Sequence, residues 1–419
     1  MTSLWSRIYT RKLQSLCKRA EPTCLRHICS IHEDERSDIK ERGPFASKLK
    51  TRGVVSIQGD DTFRFLQGLV TNDMRRFEQE PPPPQVATPT LNQPVAFVEP
   101  LYTALLNPQG RFLFDAFIYR LPAKDHRLNQ FGSAPNSNGT PLLLCDIDAD
   151  TADEFLEHLK KHRLRSKVGI EDMSKELCVW QRYGGSLMQE SQNCGNAEVK
   201  SSGWGAASDP AAQASVEGDN EGYLWFKDPR NRALGYRGIF PSERIPPLVE
   251  ADKEVDEIYY LLMRLELGVA EGCNEIQKEK AIPLEYNLEW LNAISFEKGC
   301  YVGQELIART HNRGVVRKRI MPFKFVNDSG GESDLYLHLK DVDQGSVPGA
   351  GAEILDIRNG KKVGDVTTVV GSRGLGMIRL EAAHMDMSQL AVKDVTGFHV
   401  KLFKPTWWPA NWSPDGYNG

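Results

Sequence analysis

No Cys-x-x-Cys pair occurs in the 419 residues, although eight cysteines are present, at positions 17, 24, 29, 145, 178, 194, 273 and 300. Close thiol pairs mark structural zinc sites and dithiol redox centres, so neither is expected. Only five of the eight lie beyond residue 31, widely spaced, which argues against a disulfide framework and fits a reducing compartment. Missing too is any apolar run near the roughly 20 residues of a membrane-spanning helix. No membrane span is expected. Nor is there an overall excess of positive charge: the formal net charge is −4, unlike that of a protein built to contact nucleic-acid phosphates.

Acids are nearly absent from the first thirty residues. Six bases, Arg7, Arg11, Lys12, Lys18, Arg19 and Arg26, stand there against the single Glu21, a net +5 that leaves −9 for the remainder. Leu4, Ile8 and Leu16 are interspersed with hydroxyls, and no 7–15-residue apolar core is present. That composition is the one expected of a mitochondrial presequence, here residues 1–31 with cleavage near residues 27–31. A basic tail is the alternative.

Residues 51–58 read as a β-strand, followed by a turn at Gly59 and a helix capped by Asp60 or Asp61. Residues 112–120 read as a strand buried on both faces, and 142–147 as a further strand. Thr151 and Glu154 match a capping box at the start of the next helix, and apolar residues at 258, 259, 262 and 265 give another helical period. Polar stretches at 78–94 and 184–221 read as flexible insertions, and 126–141 as a loop. After about residue 315 short alternating runs separated by glycines suggest an all-β module, with residues 371–376 as a Gly-rich hairpin turn between 363–369 and 377–380.

The densest chemistry lies at Lys298-Gly299-Cys300-Tyr301-Val302-Gly303-Gln304-Glu305, followed by Ala308-Arg309-Thr310. Cations at Lys298, Arg309 and Arg313 would favour the thiolate of Cys300, the nucleophilic and metal-binding form. The two glycines allow close backbone approach to a ligand. A packed, inert thiol is the plainer alternative. Arg309, Arg313, Arg317, Lys318 and Arg319 form a basic run that could receive an acidic partner or a polyglutamate tail, or be a solvated face.

The 298–305 motif resembles the signature of the folate-binding family that includes bacterial YgfZ and its mitochondrial counterparts in 4Fe–4S protein maturation. The resemblance extends over most of residues 45–400, through Gln67-Gly68-Leu69-Val70-Thr71-Asn72-Asp73, Asn107-Pro108-Gln109-Gly110-Arg111, residues 264–272, Pro283-Leu284-Glu285 and residues 374–380. It implies an α+β, three-domain ring similar to the glycine-cleavage aminomethyltransferase (T-protein). Two interwoven α+β subdomains would span 43–312, and a C-terminal small β-barrel 315–410. That enzyme carries an Asp-Asp pair where Phe114-Asp115 stands here, and an acid where Cys300 stands.

The resemblance implies an iron–sulfur cluster assembly factor of the mitochondrial matrix. It would use Cys300 as metal ligand with Lys298 and Asp115 as further reactive groups, and take tetrahydrofolate through Glu285 (or Glu266), Tyr301, Gly303, Gln304, Glu305 and Arg309. Tyr301 or Phe296 would stack on the pterin; on the plainer reading either ring is simply core, and Asp115 is a satisfied strand carboxylate. It further implies A-type iron–sulfur carriers as partners, sharing a transient cluster. Implied clients are 4Fe–4S enzymes such as aconitase and the lipoate and biotin synthases. Two rival readings remain: a folate-dependent aminomethyltransferase or demethylase acting through Asp115, and a folate-binding regulator in which Cys300 is structural.

Overall fold

The computed structural model describes residues 43–78, 98–121, 142–185, 187, 225–250, 252–327, 348–384, 389–395 and 398–409. The expected presequence and loop 126–141, and nearly all of the two expected insertions, lie outside these.

Three sheets organise the described chain. The first runs in the order β10 (Lys253–Glu254), β1 (Phe45–Leu49), β7 (Leu177–Tyr183), β9 (Tyr236–Pro241), β8 (Phe226–Lys227). The second runs β3 (Leu101–Leu106), β4 (Phe112–Leu121), β5 (Leu142–Asp148), β2 (Arg52–Gln58), β6 (Gly169–Asp172). Consecutive strands β1 and β2 therefore enter different sheets, and the two sheets are threaded through each other in sequence. Strands β3, β7 and β9 are buried along their whole length, so they show no apolar–polar alternation, and Gln181, Arg182 and Arg237 are buried within them.

The third sheet is six-stranded, in the order β15 (Leu390–Val392), β12 (Glu353–Asp356), β13 (Lys361–Val370), β14 (Arg373–Arg379), β11 (Lys318–Asn327), β16 (Phe398–Leu402). Its two end strands lie side by side, so the sheet nearly closes into a barrel. Phe323, Phe325, Ile378 and Val400 fill its centre. The β13–β14 turn is shorter than expected: Gly371 and Ser372 alone form it, while Gly374 and Gly376 sit inside β14. At Gly374 a Cβ would stand 2.6 Å from the Phe323 ring, so this glycine makes room for a core aromatic rather than bending the chain. Trp407 anchors the module to the rest by donating its indole N–H to Leu267 O at 2.7 Å.

Five helices are described: α1 (Thr62–Gln67), α2 (Ala152–Arg163), α3 (Glu257–Glu266), α4 (Gly272–Glu275) and α5 (Gln304–Arg313). Two caps differ from expectation. Asp61 precedes α1 but its carboxylate accepts the backbone N–H of Lys167 at 2.7 Å. Thr151 makes no side-chain cap on α2, because its hydroxyl donates to Asp148 O.

Candidate functional site

The three motifs at 67–73, 107–111 and 298–305 meet in space. The loop bearing Cys300 is held from below by Lys298, whose ammonium donates to Gln67 O at 2.8 Å, Val70 O at 2.6 Å and Asn72 O at 2.8 Å. Three N–H donors thus meet three acceptors, which satisfies an otherwise costly buried charge. Burial pulls the Lys298 pKa down to about 8. The Val302 N–H bonds Gly68 O at 3.0 Å, and the Ser295 N–H bonds Thr71 O at 3.0 Å. Gly303 then opens α5 with φ +83°, and its position admits no Cβ, which would lie 2.5 Å from Asn107 O. Gly110 faces it in the same close approach, with φ +76°. The two glycines of separate motifs therefore exist for one contact, between the 107–110 turn and the start of α5.

On this frame the Cys300 thiol is exposed, whereas Cys145 and Cys178 are buried and Cys273 is partly covered. Burial pushes the Cys273 thiol up to about 12, well into the inert range. Lys298 is turned inward, so its expected action on the thiolate is replaced by a positioning one. Tyr301 is buried, its ring centroid 4.9 Å from the Lys298 ammonium, and burial pushes its hydroxyl up to about 12. It is not placed for open stacking on a pterin. Gln304 lies partly covered and Glu305 exposed in the first turn of α5; Arg309, Arg313, Arg317 and Lys318 are exposed. Arg319, by contrast, is buried, donating to Leu284 O, Asn287 Oδ1 and Glu289 Oε1. Phe296 stacks on His311 at 3.7 Å between ring centroids, and Trp290 is also exposed.

Asp115 belongs elsewhere. It is buried, accepting from Arg52 at 3.2 and 3.3 Å, from the Gly272 N–H at 3.3 Å and from the Tyr102 hydroxyl at 3.5 Å. Arg52 also donates to Asp146, which accepts from Arg237 at 2.6 Å. Arg237 and Arg230 converge on Glu271, at 3.2 and 2.5 Å. Against the upward push of burial, Arg237, Arg230, Arg264 and Arg52 hold the Glu271 carboxyl well below the usual range. The guanidinium carbons of Arg237, Arg230 and Arg52 stand 4.1, 4.7 and 5.6 Å from the centroid of the Phe117 ring. Sequence reasoning did not single out this network. Its signal is a charge inside an otherwise apolar strand, such as Asp146 in β5 and Arg237 in β9.

A pterin needs a carboxylate for its amino-pyrimidine edge. Asp115 does not fit that task, being saturated by the network. Glu266 is paired with Arg373. Glu285 fits better: its partner at 3.3 Å is Lys318, whose side chain is half-exposed, and burial raises the Glu285 pKa. Among the described residues no group of three or more His, Cys, Asp or Glu could hold a metal ion.

Comparison with known proteins agrees with this architecture. Residues 317–410 match the family model of the CAF17 C-terminal β-barrel domain. Aminomethyltransferase T of the glycine cleavage system from Bartonella henselae superposes with a TM-score of 0.56, covering 90% of this chain and 89% of its own, at 13% identity. The shared fold is therefore that of the T-protein, with an α+β body and a barrel. The mitochondrial iron–sulfur cluster assembly factor IBA57 homologue of Mycosarcoma maydis is 32% identical over 391 residues, spanning 87% of this chain and 84% of that one. The corresponding protein of Aspergillus fumigatus is 34% identical over 347 residues, spanning 80% and 70%. Identity at that level over most of both lengths shows that this chain belongs to the IBA57 family.

Proposed function

We propose that this chain is an iron–sulfur cluster assembly factor of the mitochondrial matrix, and that it offers Cys300 as one thiolate ligand to a cluster held jointly with a second protein. The observation that carries the reading is the contrast among thiols: Cys300 is exposed on a pinned loop while Cys145, Cys178 and Cys273 are withdrawn. Clusters generally take four protein ligands, so the remaining ones come from the partner. A-type iron–sulfur carriers are that partner in this reading. The receiving proteins are 4Fe–4S enzymes such as aconitase and the lipoate and biotin synthases. Membership of the IBA57 family, whose relatives are named as mitochondrial assembly factors, supports the role.

The test compares aconitase activity and lipoylated-protein levels in cells carrying wild type or Cys300→Ala at matched abundance. Loss of both is expected. Full retention would remove the thiol from the mechanism, and a stable stoichiometric cluster on the purified lone protein would remove the partner.

Tetrahydrofolate enters the proposal only at Glu285, where a pterin has to displace Lys318. Titration calorimetry on wild type and Glu285→Gln checks this: heat in the first and none in the second is expected, and no heat in either ends it. One-carbon transfer needs an acid–base group placed against the amine, and no observation favours Asp115 for that work.

A further inference from the structure

Helix α2 ends in Lys160, Lys161, His162 and Arg163, and the chain continues through Leu164, Arg165, Ser166 and Lys167. Lys160, Lys161, Arg163, Arg165 and Lys167 are all exposed. Among the described residues none of the five forms an ion pair with a carboxylate; the nearby Asp61 carboxylate is taken by the backbone N–H of Lys167. The carbonyl end of a helix favours cations in its last turn. That accounts for Lys160 and Lys161 but not for Arg165 and Lys167 beyond it.

Leu164 stands among these cations. It is 87% exposed, the most exposed large apolar side chain of the described residues, the next being Ile245 at 59%. Its backbone has φ 46° and ψ −110°, close to the first central position of a type II′ turn, where glycine is the normal occupant. A single exposed leucine needs no explanation by itself. This one is held in a glycine-type conformation, unpacked, and surrounded by positive charge.

We propose that the 160–167 turn is a peripheral docking point for an anionic phospholipid bilayer, with Leu164 entering the headgroup–acyl boundary and the five cations on lipid phosphates. A basic face combined with an apolar insertion is the pattern that binds such interfaces. Each Lys or Arg near an anionic leaflet contributes about five-fold in partition. A nucleic acid or acidic protein would use the cations but gain little from Leu164. The rest of the chain opposes non-specific anion binding, since the net charge is −4 despite this cluster. The docked turn also lies near the thiol loop: α1 begins beside Lys167 at Asp61 and ends at Gly68, whose carbonyl holds Val302. Six helical residues span about 9 Å. This docking is independent of the role proposed for Cys300.

Co-sedimentation of the full chain tests it, using vesicles of phosphatidylcholine alone and with about one-third anionic phospholipid, at salt of about 50 and 500 mM. The wild type is expected to pellet with the anionic vesicles at low salt and to be released at high salt. Leu164→Ser and the double variant Arg165→Glu/Lys167→Glu should each weaken partition at least about five-fold, with circular dichroism unchanged. Cys300→Ala should pellet as wild type does. Because the basic first thirty residues are common to all variants, equal pelleting of both variants and wild type would overturn the proposal. So would absence of wild-type binding. Weakening by the charge variant alone, with Leu164→Ser unaffected, would assign the turn to an acidic macromolecule and equally overturn the bilayer reading.

Discussion

The ammonium of Lys298 donates to the carbonyls of Gln67, Val70 and Asn72, and its removal is felt through those three acceptors. A buried polar group left unpaired costs about 1–3 kcal/mol, and part of the loss is relieved where water reaches Gln67 and Asn72. Lys298→Met should therefore destabilise the protein by about 2–4 kcal/mol, read as a lower denaturant midpoint. Cys300→Ala, at an exposed position, should stay within about 0.5 kcal/mol of wild type. A smaller cost for Lys298→Met than for Cys300→Ala would refute the scaffold role. The contrast separates two neighbours that look equally chemical in sequence. One holds the loop, and the other is what the loop displays.

Among the elements, α2 carries a histidine whose titration is coupled to folding. His158 packs 5.7 Å from Phe114 and 4.3 Å from His162, between ring centroids. Burial, then His162, Lys278 and Lys161, lower its pKa to about 4. The unfolded chain takes up this proton near 6.5, so stability from the neutral ring is present above about 6.5 and is lost as pH falls towards 4. His158 is only half-buried, so the effect is discounted to about 1–2 kcal/mol. His158→Gln should flatten the stability profile between pH 4 and 6.5, and an unchanged slope in urea melts would sink this assignment. The elements also show how far the sequence is legible. The strand at 51–58, the buried strand after the 108–110 turn, and the α3 period were readable because local pattern and tertiary burial agree there. The caps at Asp61 and Thr151 were misjudged because a distant backbone N–H and a preceding carbonyl took those side chains. Gly374 reads as a turn residue until Phe323, fifty-one positions away, is known to lie against it. The thiol motif was legible as a string, while its support from residues 67–73 and 107–110 was not.

At the scale of the whole molecule, the Arg–carboxylate network joins the first two sheets. Arg237 lies on β9 of one, Asp146 on β5 of the other, and Glu271 between α3 and α4 receives both Arg230 and Arg237. Breaking a buried network from one side leaves uncompensated charge and costs about 3–5 kcal/mol. Arg237→Met should show that loss in the midpoint of chemical denaturation. Arg237→Lys should recover little of it, since a single ammonium cannot reproduce a forked guanidinium. A near-neutral Arg237→Met would mean that the sheets are held by apolar packing alone.

Strand β1 pairs with β10, so Phe45 meets Lys253, while β2, two residues further on, pairs with β5 and β6. The first sheet therefore cannot finish until some two hundred further residues are available. Loop closures of that length are slow steps in folding. The second sheet draws only on strands between Arg52 and Asp172, so the first sheet is the later of the two to be completed along the chain. The Cys300 loop, whose supports lie at residues 67–72 and 107–110, is likewise displayed only once those distant stretches of the chain have met it.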